Sequence, residues 1–251
     1  MLLLDETTEM GVTERRFDLE VGGEKVPGIH WLPESADGPH PTVLIGHGGT
    51  QNKRAPNILG LARKLVRANG FGVVALDAPA HGDRQTEEQR RELEEMVQSR
   101  EGTIGQRIRR LMDASDQAVA EWKALLDQLQ LEPAWTAGPF GYWGLSMGTL
   151  FGVPLLAGES RISAAVLGLG ALRKGDTAQQ AQAGAITVPV LFLCQSEDEL
   201  MTRDGAVALW DALGSRDKSL HINPGRHVEV PMVERDAAVE FFRRHLSTVA
   251  A

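Results

Sequence analysis

Short, almost wholly apolar runs recur along this chain at spacings that leave room for a helix between them. That alternation constrains the fold more than any other feature. TVLIG at 42–46 and FGVVAL at 71–76 are the clearest examples. Strands that read as continuous apolar runs are buried on both faces, as in a parallel sheet covered by helices. Further runs at 142–145, 164–169 and 188–194, and a short one at 220–222, continue the pattern. Helical spacing falls between them. Leu61, Leu65 and Ala68 share one face of 57–68, and helical runs cover 114–129, 147–157, 205–213 and 232–245. The alternation predicts a mostly parallel sheet with helices on both faces. Ahead of it, 15–21 and 25–31 read as a hairpin about a Gly22-Gly23 turn.

The chain has 251 residues. At about 150 residues per domain it allows one or two, and a single α/β domain of roughly this size is ordinary. We expect one domain over 1–251. Residues 84–112 break the rhythm with a charge-dense stretch. Leu93, Met96 and Val97 make one narrow apolar stripe there, and Ile104, Ile108, Leu111 and Met112 another. This reads as one or two short inserted helices, either a solvated excursion or a lid over a pocket.

Charge and cysteine content exclude several function classes. Lys and Arg number 26 against 34 Asp and Glu, a net charge of −8. An acidic chain is poorly suited to a phosphate backbone or an anionic membrane. The single cysteine, Cys194, allows neither an internal disulfide nor a cysteine zinc cluster. The opening MLLLDETTEMG lacks the apolar core of a signal peptide, and no apolar run reaches the roughly 18 residues that span a bilayer. The expectation is a cytoplasmic chain. Oligomeric state is not legible.

The sharpest local feature is Gly144-Leu145-Ser146-Met147-Gly148, at the junction of an apolar strand and a helical run. G-x-S-x-G in that setting is a nucleophile elbow. The serine sits on a tight turn that projects its hydroxyl above the sheet, and the flanking glycines remove side chains that would clash. The helix starting at Met147 points N–H groups at a developing oxyanion.

A serine hydroxyl is a weak nucleophile without a base. Of seven histidines, His227 lies in a turn, Asn223-Pro224-Gly225-Arg226-His227, between the last strand and the last helix. His30 and His221 fall inside strands, His40 in a proline-flanked loop and His245 on a helix. A base needs a carboxylate to fix its tautomer. The run at 188–194 leads into Ser196-Glu197-Asp198-Glu199. Asp198 has the best register, with Glu197 and Glu199 as alternatives. Asp77, after the FGVVAL run, is a further acid that reads better as holding its own turn. Gly46-His47-Gly48-Gly49-Thr50 follows TVLIG, where the Gly49 N–H, or that of Thr50, would join the Met147 N–H in an oxyanion hole. His47 reads as shaping that loop. No helix carries histidines at i and i+4, so a metal site is not expected.

Chain order is Ser146, Asp198, His227, the order of α/β-hydrolases. With HGG, DAPAHG, GLSMG, SEDEL and GRH in sequence from Pro41 to His245, the chain resembles the α/β-hydrolase superfamily. Within it, the chain looks most like the dienelactone-hydrolase and acyl-aminoacyl-peptidase-like serine esterases. The resemblance implies a sheet of about eight strands and a serine esterase acting on a small-molecule ester without cofactor. Acyl transfer, or cleavage of an amide or carbon–carbon bond, would use the same triad. A non-catalytic binding protein is the remaining alternative. The elbow carries serine where narrow dienelactone hydrolases carry cysteine, and 84–112 is unlike a minimal member.

Overall fold

The computed structural model describes residues 1–35, 40–91, 111–131 and 138–247. Nine strands form one sheet: β1 (Leu2–Glu9), β2 (Val12–Val21), β3 (Glu24–Pro33), β4 (Thr42–Gly46), β5 (Gly72–Leu76), β6 (Phe140–Leu145), β7 (Ile162–Gly168), β8 (Val190–Gln195) and β9 (Lys218–Asn223). Their order is β1-β2-β3-β5-β4-β6-β7-β8-β9. The first three strands run antiparallel, β3 joins β5 antiparallel, and every later pairing is parallel. The helices are α1 (Pro56–Asn69), α2 (Ser115–Leu131), α3 (Met147–Ala157), α4 (Thr177–Ala185), α5 (Arg203–Ala212) and α6 (Met232–Leu246).

Alternation along the buried strands builds two apolar cores. Val43 and Ile45 of β4 face one layer, with Ile58, Leu61 and Leu65 of α1 and Phe242 and Leu246 of α6. Leu44 and Val74 face the other, with Trp122, Leu125 and Leu129 of α2 and Leu209 of α5. Both faces are covered, which is why β4 and β5 carry no exposed residue.

Local chemistry sets the boundaries. Pro56 stands in the first turn of α1, and Gly70, at φ +66°, closes its C-terminus with its N–H on the Val66 carbonyl. Gly22 and Gly23 both have positive φ, and Val21 pairs with Glu24 around them. Two elements escaped the sequence pattern. Every residue of β1 is exposed, so its leucines carry no alternation. Helix α4, TAQQAQAGA, has little apolar stripe and is started by the Asp176 side chain accepting from the Gln179 N–H at 2.8 Å.

The expected insertion at 84–112 lies outside the described residues from 92 to 110. At its near end a reciprocal cap starts a helix: the Thr86 N–H donates to Gln89 Oε1 and the Gln89 N–H to Thr86 Oγ1. At its far end Leu111 packs against Met147 and Phe151. Among the described residues no helix is long and apolar enough to cross a membrane.

Candidate active site

β6 passes into α3 through Ser146, whose φ of +59° is one of four positive values at non-glycine residues among the described residues. Such a backbone costs on the order of 1–3 kcal/mol and persists only where its surroundings fix it. The fixing groups are present. The Ser146 N–H donates to the Gly168 carbonyl at 2.9 Å. Thr149 Oγ1 lies 2.8 Å from the Gly144 carbonyl and 2.6 Å from that of Gly168, and accepts from the Gly168 N–H at 2.8 Å. Tyr142 donates its hydroxyl to the Gly148 carbonyl at 2.7 Å. The elbow glycines follow from close approach: a Cβ at Gly148 would meet the Gly46 carbonyl oxygen at 2.4 Å, and one at Gly144 would meet that of Gly148 at 2.6 Å.

The turn after β8 and the turn after β9 bring the other two groups to this elbow. His227 Nε2 lies 2.8 Å from Ser146 Oγ, and Nδ1 lies 2.7 Å from Asp198 Oδ2. Asp198 Oδ1 accepts from the Leu200 and Met201 N–H groups, both at 2.8 Å. Burial alone would raise the Asp198 carboxyl. The His227 ring and those two N–H groups outweigh it and hold the carboxyl below its ordinary range. An ionised acceptor opposite Nδ1 keeps the proton on that nitrogen and leaves Nε2 to accept from the serine.

The structure thus brings Ser146, Asp198 and His227 together and leaves the competing residues elsewhere. Glu197 is exposed. Glu199 reaches the His227 backbone N–H at 3.0 Å rather than its ring. Asp77 is bound to Lys53 and Asp83. His30 is buried in β3, and His221 faces Glu234 at 2.8 Å.

Beside the serine stands the loop after β4. A Cβ on Gly49 would lie 3.9 Å from Met147 Cβ, so the Gly49 backbone and the start of α3 face one another. The Met147 N–H belongs to the first helical turn, whose donors have no acceptor within the helix. Side chains shape the loop from outside. His47 Nε2 accepts from the Ala78 N–H at 3.1 Å, so Nδ1 donates to the Gly48 carbonyl at 2.8 Å. His81 places its two ring nitrogens on the Pro79 and Gly49 carbonyls. The Gly48 N–H donates to Gln51 Oε1 at 3.1 Å. The loop-shaping role expected of His47 is what these bonds describe.

A cavity of about 420 Å³ opens at Ser146 and His227. Leu61, Leu145, Leu169, Leu193 and Val230 give it apolar walls, and Gln51, Asn57 and Arg235 add polar groups. Trp143 is in the core and also lines this cavity. Apart from Leu61, named for its helical face, and Leu145 of the elbow, the wall residues were not singled out in the sequence, because they come from separate elements. Among the described residues no cluster of His, Cys, Asp and Glu could hold a metal ion.

Solved structures similar to this chain include esterases. A cold-adapted esterase from an Arctic intertidal metagenomic library superimposes with a TM-score of 0.77 at 34% identity, covering 96% of this chain and 97% of that one. Acetyl xylan esterase 1 from Thermoanaerobacterium sp. JW/SL YS485 gives 0.71 at 17% identity, over 96% and 86% of the two chains. Est1E from Butyrivibrio proteoclasticus, solved with ferulic acid, gives 0.67 at 16% identity, over 91% and 98%. The last two share the fold. No protein-family model and no curated protein matches the chain. With its fold, and with a relative at 34% identity over nearly its whole length, the chain belongs to the esterases of the α/β-hydrolase superfamily.

Proposed function

We propose that this chain hydrolyses small-molecule carboxylic esters through a covalent acyl-serine. The observation that carries the reading is the continuous hydrogen-bonded line from Asp198 through His227 to Ser146, ending at an apolar-walled cavity. Ser146 Oγ attacks the ester carbonyl as His227 Nε2 takes its proton. General-base help of this kind is worth about 10²–10⁴ in rate. The Met147 and Gly49 N–H groups receive the oxyanion, each worth on the order of 3 kcal/mol of barrier. His227 then protonates the leaving alcohol, and the acyl-serine remains. Water, deprotonated by the same nitrogen, attacks the acyl carbon and releases the acid and free Ser146. Asp198 stays ionised and steadies the imidazolium.

The acyl group fits the cavity walled by Leu61, Leu169 and Leu193. Leu111 lies 3.7 Å from where a Gly49 Cβ would be, beside the loop that faces the serine.

Turnover of p-nitrophenyl acetate, butyrate and octanoate by the wild type and by Ser146→Ala tests the proposal. Loss of about 10⁴-fold or more in the variant is expected. A variant that keeps its turnover would overturn the mechanism.

A further inference from the structure

Gln195, the last residue of β8, is used by no step above, yet it touches the loop that carries the base. Its side chain is 1% exposed. Nε2 lies 3.0 Å from the Glu229 carbonyl oxygen, 3.3 Å from that of Pro224 and 3.5 Å from that of Arg226. Those carbonyls stand on both sides of His227. The amide has two hydrogens, shared among the three acceptors, and sits inside the ring the loop makes. Gly225, at φ +114°, lets the loop close around it: a Cβ there would lie 3.3 Å from Nε2.

The orientation of the amide is fixed by what it would meet if turned over. Gln195 Oε1 is buried and accepts no hydrogen bond among the described residues. Exchanging Oε1 and Nε2 would aim the oxygen at three carbonyls, so the present orientation is preferred even with an acceptor unfilled. The rest of the loop faces outward. Pro224, Arg226, Val228 and Glu229 are exposed, while His227 is buried. Exposed loops are free to move unless something on the inner side holds them. Here that side is held by the Gln195 amide, with the Glu197 N–H on the Gly225 carbonyl at 3.1 Å. Gln195 also stands three residues before Asp198, on the strand that delivers the acid.

We propose that Gln195 is a positioning residue for the base. It ties the His227 loop to the end of β8, so that the Asp198–His227 and His227–Ser146 distances are set together. The proposal rests on His227 acting as the base. Its effect belongs to geometry at the moment of proton transfer, so it falls on kcat more than on KM. A displacement of about 1 Å can cost on the order of 10²-fold.

Two variants test this. Gln195→Met keeps the length and removes the donor. Gln195→Glu keeps the shape and donates only when protonated, since its carboxylate would face three carbonyl oxygens. For Gln195→Met, kcat is expected to fall about tenfold to a hundredfold with KM little changed. For Gln195→Glu, activity relative to wild type is expected to fall steadily as pH rises. The proton on His227 Nδ1 gives a separate readout: its downfield resonance, expected in the wild type and expected to be lost in Asp198→Asn, should broaden or vanish in Gln195→Met. Folded variants with wild-type kcat, pH profile and resonance would overturn the proposal. So would a loss of thermal stability that leaves the folded fraction fully active. If Ser146→Ala proves fully active, the hydrolytic reading fails, and the resonance still decides whether Gln195 places the ring.

Discussion

Two carboxylates follow strands of this sheet and are both shielded from water, yet they are bound in opposite ways. Asp77, after β5, accepts from the Lys53 N–H at 3.0 Å, from Lys53 Nζ at 2.5 Å and from the Asp83 N–H at 2.9 Å. Gly82 is required beside it, since a Cβ there would strike the carboxyl at 2.3 Å. The Lys53 ammonium goes on to Asp83 Oδ2 at 2.6 Å, so the bonds around Asp77 end in a second fixed carboxylate. Asp198 also takes two backbone N–H groups, but its third partner is a ring that passes the hydrogen-bonded line on to a serine at a cavity. Burial and backbone N–H donors are therefore shared by a carboxylate held in an ion pair and one set beside a histidine. What separates them is the group on which the line of hydrogen bonds ends, a second carboxylate in one case and a serine hydroxyl in the other.

The widest separation between the two is expected from paired amide substitutions. Asp198→Asn should lower kcat by about 10⁴-fold, because an amide no longer holds the proton on Nδ1, while thermal stability stays close to wild type. Asp77→Asn should do the reverse. Leaving the Lys53 ammonium without its buried partner costs about 3–5 kcal/mol, and the folded fraction should still turn over ester. Thermal melts and kcat measured on the same preparations would settle it, and a matching loss of kcat in both would erase the distinction.

Thr149 offers a smaller effect on the chemical side. Thr149→Val keeps the shape and strips the acceptor from the buried Gly168 N–H, which should cost about 1–3 kcal/mol. For a chain of this size a melting temperature lower by roughly 2–4 °C per kcal/mol would register it. The last test concerns pH. Burial lowers the His47 pKa to about 4, against the pull of the Gly48 carbonyl. In the unfolded chain the same ring titrates near 6.5. Between those values the unfolded state binds the extra proton, so the His47 contribution is complete above about 6.5 and is lost as pH falls toward 4. Denaturant melts across that window should show a shallower acid slope for His47→Gln than for the wild type.

Much of this was legible in the sequence, for reasons that differ by element. β4 and β5 were readable because burial on both faces leaves runs with little but apolar side chains. GLSMG was readable because the elbow's sterics demand glycines at fixed offsets. Asp198 could be preferred to its acidic neighbours by register alone, though only the folded turn shows Glu199 diverted to the His227 backbone. β1 was hidden because an edge strand exposed on both sides has no pattern to obey. The Lys53–Asp77 pair, 24 residues apart, and the Gln195 tether, spanning 29 to 34 residues, left no local trace. A buried amide or ammonium is identified by its partners, and those come from the topology.

In the proposed mechanism the base, His227, stands 81 residues along the chain from Ser146, and the acid, Asp198, 29 before the base. The elbow needs mainly its own turn and the strands beside it. The acid–base pair needs β9 laid in register along β8, a contact that closes only after a long stretch of chain has been ordered. A partly assembled molecule can thus display its serine in final form and remain inert. On the proposed mechanism, ester turnover works as a completion signal: it reports the seating of β9 beside β8 rather than the formation of the elbow, and specific activity tracks the fraction of molecules whose sheet is whole.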